Sequence, residues 1–214
     1  MRGKFVTLEG GEGAGKSTQA QLLAETFESA GRPVVVTREP GGATGAEEIR
    51  ALLVTGGIGR WSPMAEALLH YAARRDHLDR TILPALDRGT WVICDRFADS
   101  TMAYQGYGHG LGREVVSELH RVVLGDFTPD LTLILDLPVD AGLRRAGIRA
   151  DIGARGEDRY ERMESAFHRR LREGFIEIAR LDPRRCVVID ANQSVEAVHQ
   201  AVVDAVNERL SANP

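Results

Sequence analysis

The stretch EGGEGAGKST, residues 9–18, decides how this chain is read. It holds Gly10, four intervening residues, and then Gly15, Lys16 and Ser17. A strand-like run, FVTLE (5–9), precedes it, and a helical pattern from about residue 16 follows. Strand, glycine-rich turn and helix form the context that a phosphate-binding loop requires. Glycines let successive backbone N–H groups converge on an anion, and the helix start adds the positive end of its dipole. The spacing predicts Lys16 against the β- and γ-phosphates of a nucleoside triphosphate and Ser17 on Mg²⁺. Glu12 is left over, because an acid beside a triphosphate cradle is electrostatically awkward.

Outward from the loop, PVVVT (33–37), WVICD (91–95), LTLILD (131–136) and CVVID (186–190) repeat the strand pattern. They are β-branched and nearly unbroken in hydrophobicity, as strands covered on both faces are. Helical patterns lie between them, at about 16–30, 44–55, 63–86, 113–124, 139–147, 157–181 and 194–210. This alternation predicts an α/β fold with a parallel sheet. No repeat, low-complexity tract or linker interrupts it, so residues 1–214 read as one domain. Two stretches, 38–90 and 137–185, exceed a simple crossover, and insertions after parallel strands build ligand sites.

The net charge of −4 argues against a nucleic-acid binder. No apolar stretch of signal-peptide or membrane-spanning length occurs. The two cysteines, Cys94 and Cys186, lie inside strand-like runs and read as buried thiols. The expectation is a cytoplasmic protein without a membrane or nucleic-acid partner.

Two strands end in an acid that could hold Mg²⁺, Asp95 and Asp136. Asp95 is favoured because Arg96 follows, placing a cation beside a transferring phosphate. Three classes share such a loop. A GTPase switch carries an Asn-Lys-x-Asp guanine reader, which is missing here. A motor or transporter ATPase is usually larger or depends on partner subunits. A small-molecule kinase needs cations around the moving phosphoryl group. Arginines are present for it: Arg38, Arg74, Arg96, Arg149, Arg155 and Arg159. A non-catalytic nucleotide-binding regulator would not need that set.

TREPGG (37–42), YAAR (71–74), DRFADSTMAYQG (95–106) and PDLTLILDL (129–137) resemble the thymidylate kinase family, in family order and from Phe5 to about Val203. The resemblance implies a P-loop nucleoside monophosphate kinase fold with a five-stranded parallel sheet flanked by helices and a lid at about 148–156. It implies phosphorylation of dTMP to dTDP with ATP, Mg²⁺ as cofactor, and a homodimer. A kinase of another small acceptor on the same scaffold is the alternative. The absence of arginine in 10–17 resembles the bacterial version of the family, which supplies its arginine from the lid.

The resemblance also implies site residues. Gly10, Gly11, Glu12, Gly13, Ala14, Gly15, Lys16, Ser17 and Thr18 would surround the ATP phosphates, with Asn192 beside adenine. Ser17 and Asp95 would hold the metal. Glu12 would accept a hydrogen bond from the 3′-hydroxyl of dTMP. Arg38 and Arg96 would hold its phosphate. Arg74, one helical turn after His70, would donate to a thymine carbonyl, while His70 stands where the family usually has a stacking Phe. Ser100, Thr101 and Gln105 would approach the base, and Tyr104 would pack under the sugar. Lys16, Arg96 and a lid arginine would be catalytic, with Arg155 favoured over Arg149. Protonation of His70 beside an apolar base would weaken dTMP binding as the pH falls from about 8 to 6.

Overall fold

A computed structural model describes residues 2–152 and 159–210, the side chains of 148–152 excepted. Five parallel strands form its sheet: β1 (Phe5–Glu9), β2 (Val34–Arg38), β3 (Trp91–Asp95), β4 (Leu131–Asp136) and β5 (Cys186–Asp190), in the order β2-β3-β1-β4-β5. Each expected run is a strand, because continuous apolar sequence is stable in a sheet only where both faces are covered. One face buries Val6, Leu8 and Leu133 against α1 (Lys16–Ser29) and α9 (Val195–Leu210). The other buries Phe5, Val92 and Cys94 under α3 (Pro63–His77) and α6 (Arg113–Leu124). A third cluster packs Ile134 and Tyr104 against Phe167 and Phe175 of α8 (Ser165–Leu181). Both cysteines are buried free thiols.

Every strand ends in a charged residue: Glu9, Arg38, Asp95, Asp136 and Asp190. Parallel pairing brings these ends to one edge, with Arg38 in register with Asp95, and Asp136 with Asp190. The central strand β1 has neighbours on both sides reached by different connections, so its end is where a crevice opens.

Three helical expectations need correction. The stretch 63–86 is not one α-helix: α3 gives way to a π-helical turn at Leu78–Ile82 and then to α4 (Leu83–Asp87). Pro84 has no N–H for an α-helical ladder, and a widened turn accommodates it. The helix expected over 139–147 runs on as α7 (Val139–Ile152), so the first residues of the stretch read as a lid loop are helical. Gly147 alone costs about 1 kcal/mol, too little to stop a run otherwise rich in Ala and Arg. The helix expected from 157 begins only at Ser165, because Arg159 and Tyr160 turn inward. A fourth helix was not anticipated: α5 (Ala98–Thr101), continued by a π-helical segment Met102–Gly108. Helix α2 (Thr44–Val54) packs beside α3.

Candidate active site

The glycine loop joins β1 to α1 and rests on α7. A β-carbon at Gly13 would lie 2.1 Å from the Gly142 carbonyl oxygen, and φ is +70° there, so only glycine fits. The first turn of α1 has no side-chain cap and no acid. Its free N–H groups and dipole are therefore open to an anion. Lys16 is buried and donates to the Gly11 carbonyl at 2.7 Å. Burial, and then the nearby Arg96 guanidinium, push its ammonium down to about 8. An added phosphate would supply the compensating charge. Ser17 donates its hydroxyl proton to Asp95 Oδ2, and both face an open cavity that Thr37, Arg38 and Gly42 also line. Thr18 is exposed in the same turn.

A second cavity opens beside the phosphate loop and the end of β3. It is lined by Glu12, His70, Arg74, Arg96, Ser100, Thr101, Tyr104 and Gln105, together with Glu39 and Tyr160. These include all the residues expected around the acceptor except Arg38. Arg38 instead reaches outward to Glu47, 3.2 Å away, and lines the cavity of Ser17 and Asp95.

Glu12 reaches the second cavity from the phosphate loop. Its carboxylate accepts from Arg96 at 3.0 Å and from the Tyr104 hydroxyl at 2.5 Å. Burial raises its pKa, but the Arg96 and Lys16 charges outweigh this and hold it at about 2. The acid in the phosphate loop thus anchors Arg96. The other guanidinium nitrogen of Arg96 donates to Gly10 O at 3.0 Å and Ser100 Oγ at 3.2 Å. The backbone of Arg96 is left-handed, with φ of 72°, uncommon for a residue with a β-carbon.

Arg74 is buried, its guanidinium 4.9 Å from the Tyr71 ring centre and 5.2 Å from that of Phe97. It donates to Glu39 at 2.7 Å, Thr101 Oγ1 at 3.0 Å and Phe97 O at 3.0 Å. His70 Nε2 lies 3.0 Å from the Tyr160 hydroxyl. Burial, and then Arg74, push its pKa down to about 3. That direction favours the neutral imidazole and runs against the expected charging of His70 between pH 8 and 6. Gln105 is buried, donating to Glu66 at 2.7 Å, while its carbonyl oxygen has no partner among the described residues.

Arg159 is the clearest departure from the expected set. The sequence groups it with the cations around a moving phosphoryl group, yet it is buried and committed. It donates to the carbonyls of Leu53, Gly57 and Ile58 and to the carboxylate of Glu66. Arg155 lies outside the described residues. Arg149 falls within α7, and its side chain lies outside them. Asp136 is held by Arg172 through bonds of 2.6 and 2.8 Å, which leaves Asp95 as the strand-end acid beside Ser17. Asn192 is exposed after β5, its N–H bonded to Asp190 at 2.9 Å.

Sequence reasoning missed Glu9, Glu39, Glu66 and Tyr160. Glu9 is fully buried and accepts from the N–H of Phe97 at 2.7 Å and the Ser100 hydroxyl at 2.6 Å. Burial, and then the Asp99 charge, raise its pKa. A signal existed for Glu9 and Glu39, since both sit at strand ends inside the quoted motifs. None existed for Glu66, whose partner Arg159 is 93 residues away.

The thymidylate kinase family model matches residues 8–202. A thymidylate kinase of Caulobacter vibrioides is 55% identical, covering 98% of each chain. One from Gluconobacter oxydans is also 55% identical, over 98% of this chain and 97% of its own. The crystal structure of thymidylate kinase from Ehrlichia chaffeensis superposes with a TM-score of 0.77 at 34% identity, covering 96% of this chain and all of that one. The five-stranded parallel sheet, the phosphate loop and these matches agree, and the chain belongs to the thymidylate kinase family.

Proposed function

We propose that the two cavities divide one reaction, the ATP-dependent phosphorylation of dTMP to dTDP that family membership gives this chain. ATP phosphates sit on the glycine loop and the bare start of α1. The acceptor occupies the second cavity, beyond Glu12. A 5′-phosphate oxygen of dTMP bonds to the γ-phosphorus as the bond to the β,γ-bridging oxygen breaks, and ADP leaves. Lys16 and Arg96 neutralise charge on the transferring group, and Arg38 swings from Glu47 to hold the acceptor phosphate. Arg74, Ser100, Thr101 and Gln105 face the base, His70 stacks on it, and Tyr104 lies under the sugar. Asn192 flanks adenine. Arg155 is the further cation that the family resemblance assigns to the γ-phosphate.

The observation that carries this reading is Glu12. Its carboxylate belongs to the phosphate loop but faces the acceptor cavity and holds Arg96 there. That arrangement sets donor and acceptor on opposite sides of one short loop.

Ser17 and Asp95 fit Mg²⁺: two hard oxygen groups already face one another at the mouth of the open cavity. Among the described residues no group of three or more His, Cys, Asp or Glu forms a protein cage. Mg²⁺ held by few side chains completes its shell with phosphate oxygens and water, and when bound it would offset phosphate charge. No helix among the described residues is long and apolar enough to cross a membrane. Exposed Met64 and Leu68 on α3 and Val122 on α6 supply apolar surface for a homodimer.

ADP release measured with dTMP, dUMP, dCMP and dGMP tests the reading. Preference for dTMP is expected; equal or better turnover with dCMP, or none with any acceptor, would refute it.

A further inference from the structure

From the wall of the acceptor cavity a largely buried chain of hydrogen bonds runs back from Arg74. Thr37 Oγ1 lies 2.7 Å from His77 Nε2, and His77 Nδ1 lies 3.0 Å from Glu39 Oε1. The other Glu39 oxygen accepts from Arg74 Nε at 2.7 Å. His77 and Glu39 are buried, and Arg74 is 1% exposed. Each link fixes the next. A carboxylate accepts, so His77 Nδ1 is the donor of its pair with Glu39. Glu39 is itself pinned, since its backbone N–H donates to Asp95 O at 2.9 Å. Gly42 seals the far end: a β-carbon there would lie 2.3 Å from His77 Nε2 and 2.5 Å from Thr37 Oγ1.

A guanidinium is planar, so fixing its Nε edge fixes where its terminal N–H groups point. Each terminal nitrogen of Arg74 has two hydrogens and, among the described residues, one acceptor, Thr101 Oγ1 or Phe97 O. One N–H on each is left, and Arg74 lines the acceptor cavity. We propose that Glu39, backed by His77 and Thr37, is a positioning residue that aims Arg74 at the acceptor base and thereby sets the preference for a carbonyl over an amino group on the pyrimidine. This rests on the reading that Arg74 meets the base. A guanidinium offers only donors, so when rigidly aimed it bonds a carbonyl and leaves an amino group unpaired. Released from Glu39, it can turn aside, and the penalty against the amino group shrinks.

The test compares Glu39→Gln, His77→Gln, His77→Asn and Arg74→Lys. For each, kcat and KM are measured with dTMP and dCMP, alongside the thermal midpoint. Glu39→Gln removes the charge that orients Nε. It should raise KM for dTMP and lower the dTMP:dCMP ratio of kcat/KM by about tenfold, with kcat within about threefold. His77→Asn keeps an N–H donor at the Nδ1 position and should retain the wild-type ratio. His77→Gln moves the donor and should lower the ratio by about threefold. A stability loss alone would shift the midpoint without changing the ratio. If Arg74→Lys loses the preference while Glu39→Gln and both His77 variants keep it, the positioning role is wrong. If Glu39→Gln does not fold, the two His77 variants decide by the same ratio. If Arg74→Lys itself keeps the preference, the reading of Arg74 fails and this inference falls with it.

Discussion

Arg38 and Arg96 come from neighbouring strands at the same edge of the sheet. Arg38 is in register with Asp95, the residue just before Arg96. Their surroundings nevertheless differ in kind. The Arg38 side chain is 56% exposed and meets one surface carboxylate, Glu47. The Arg96 side chain is 16% exposed and is held by Glu12, Ser100 and the Gly10 carbonyl. An exposed ion pair contributes about 0–1 kcal/mol, so Arg38 can leave Glu47 for a ligand at little cost. Arg96 cannot leave without taking the cation from the half-buried Glu12 carboxylate. A cation fixed before substrate arrives suits charge that develops in the transition state. One that must move suits binding of a charge already present in the ground state.

The largest effect should therefore come from Arg96. Arg96→Ala is expected to lower kcat by at least about 100-fold, or about 2.7 kcal/mol of transition-state stabilisation. Steady-state kinetics at saturating ATP and dTMP measure this. A variant that keeps near-normal kcat would remove the distinction between the two arginines.

Arg38→Ala should act on the other parameter, raising KM for dTMP by about tenfold, or about 1.4 kcal/mol, and leaving kcat nearly unchanged. If kcat falls and KM does not, Arg38 belongs with Arg96 in the transition state, whatever its exposure. The contrast becomes sharper if Glu47→Gln lowers KM for dTMP, since that would show the surface pair competing with the ligand.

The backbone of Arg96 offers a smaller test. Its φ of 72° strains any residue with a β-carbon but not glycine. Arg96→Gly and Arg96→Ala lose the same guanidinium, so both should be equally slow. The glycine variant should nevertheless be more stable to denaturant, by about 1 kcal/mol. Equal stabilities would mean that the loop relaxes out of the left-handed region once the guanidinium bonds are gone.

What could be read from the sequence was local. Each strand is an apolar run that stops at a charge, and the glycine loop needs only its own spacing and the strand and helix beside it. The set around the acceptor cavity came from the quoted motifs, whose residues lie close together in the chain. What was missed depends on partners far apart. Arg159 looks like one more loop arginine until Glu66 and the carbonyls of 53–58 are brought to it. Helix 98–108 is unconvincing by propensity, with two glycines and two tyrosines. In the fold, Glu9 accepts from the N–H groups at its start, and α8 packs along it. Nor does spacing separate Arg38 from Arg96: both follow a strand, and only the packing of α5 and the phosphate loop buries one of them.

The smallest expected change in dTMP binding concerns His70, which the sequence marks as a titrating residue. Its pKa stands at about 3 against an ordinary 6.5, so between pH 8 and 6 it carries no charge. Burial is the main cause, and the Arg74 guanidinium adds to it. The dTMP affinities of wild type and His70→Phe should thus change in parallel over that range. The substrate phosphate titrates near pH 6 in both measurements and cancels in the comparison. The stability of the free protein has the opposite expectation. Below pH 6.5 the unfolded chain protonates this imidazole and the folded one does not, so the unfolded state binds more protons. Stability is then lost as the pH falls from about 6.5 towards 3, and His70→Phe should lose less over that window. Titration calorimetry with dTMP at pH 8, 7 and 6, and urea midpoints at pH 7 and 5, measure the two quantities. A wild-type affinity that weakens on acidification while that of His70→Phe holds would mean that His70 gains a proton beside the base. The acceptor cavity would then be more open to water than the buried Arg74 beside His70 requires, and the contrast with the exposed Arg38 side would shrink accordingly.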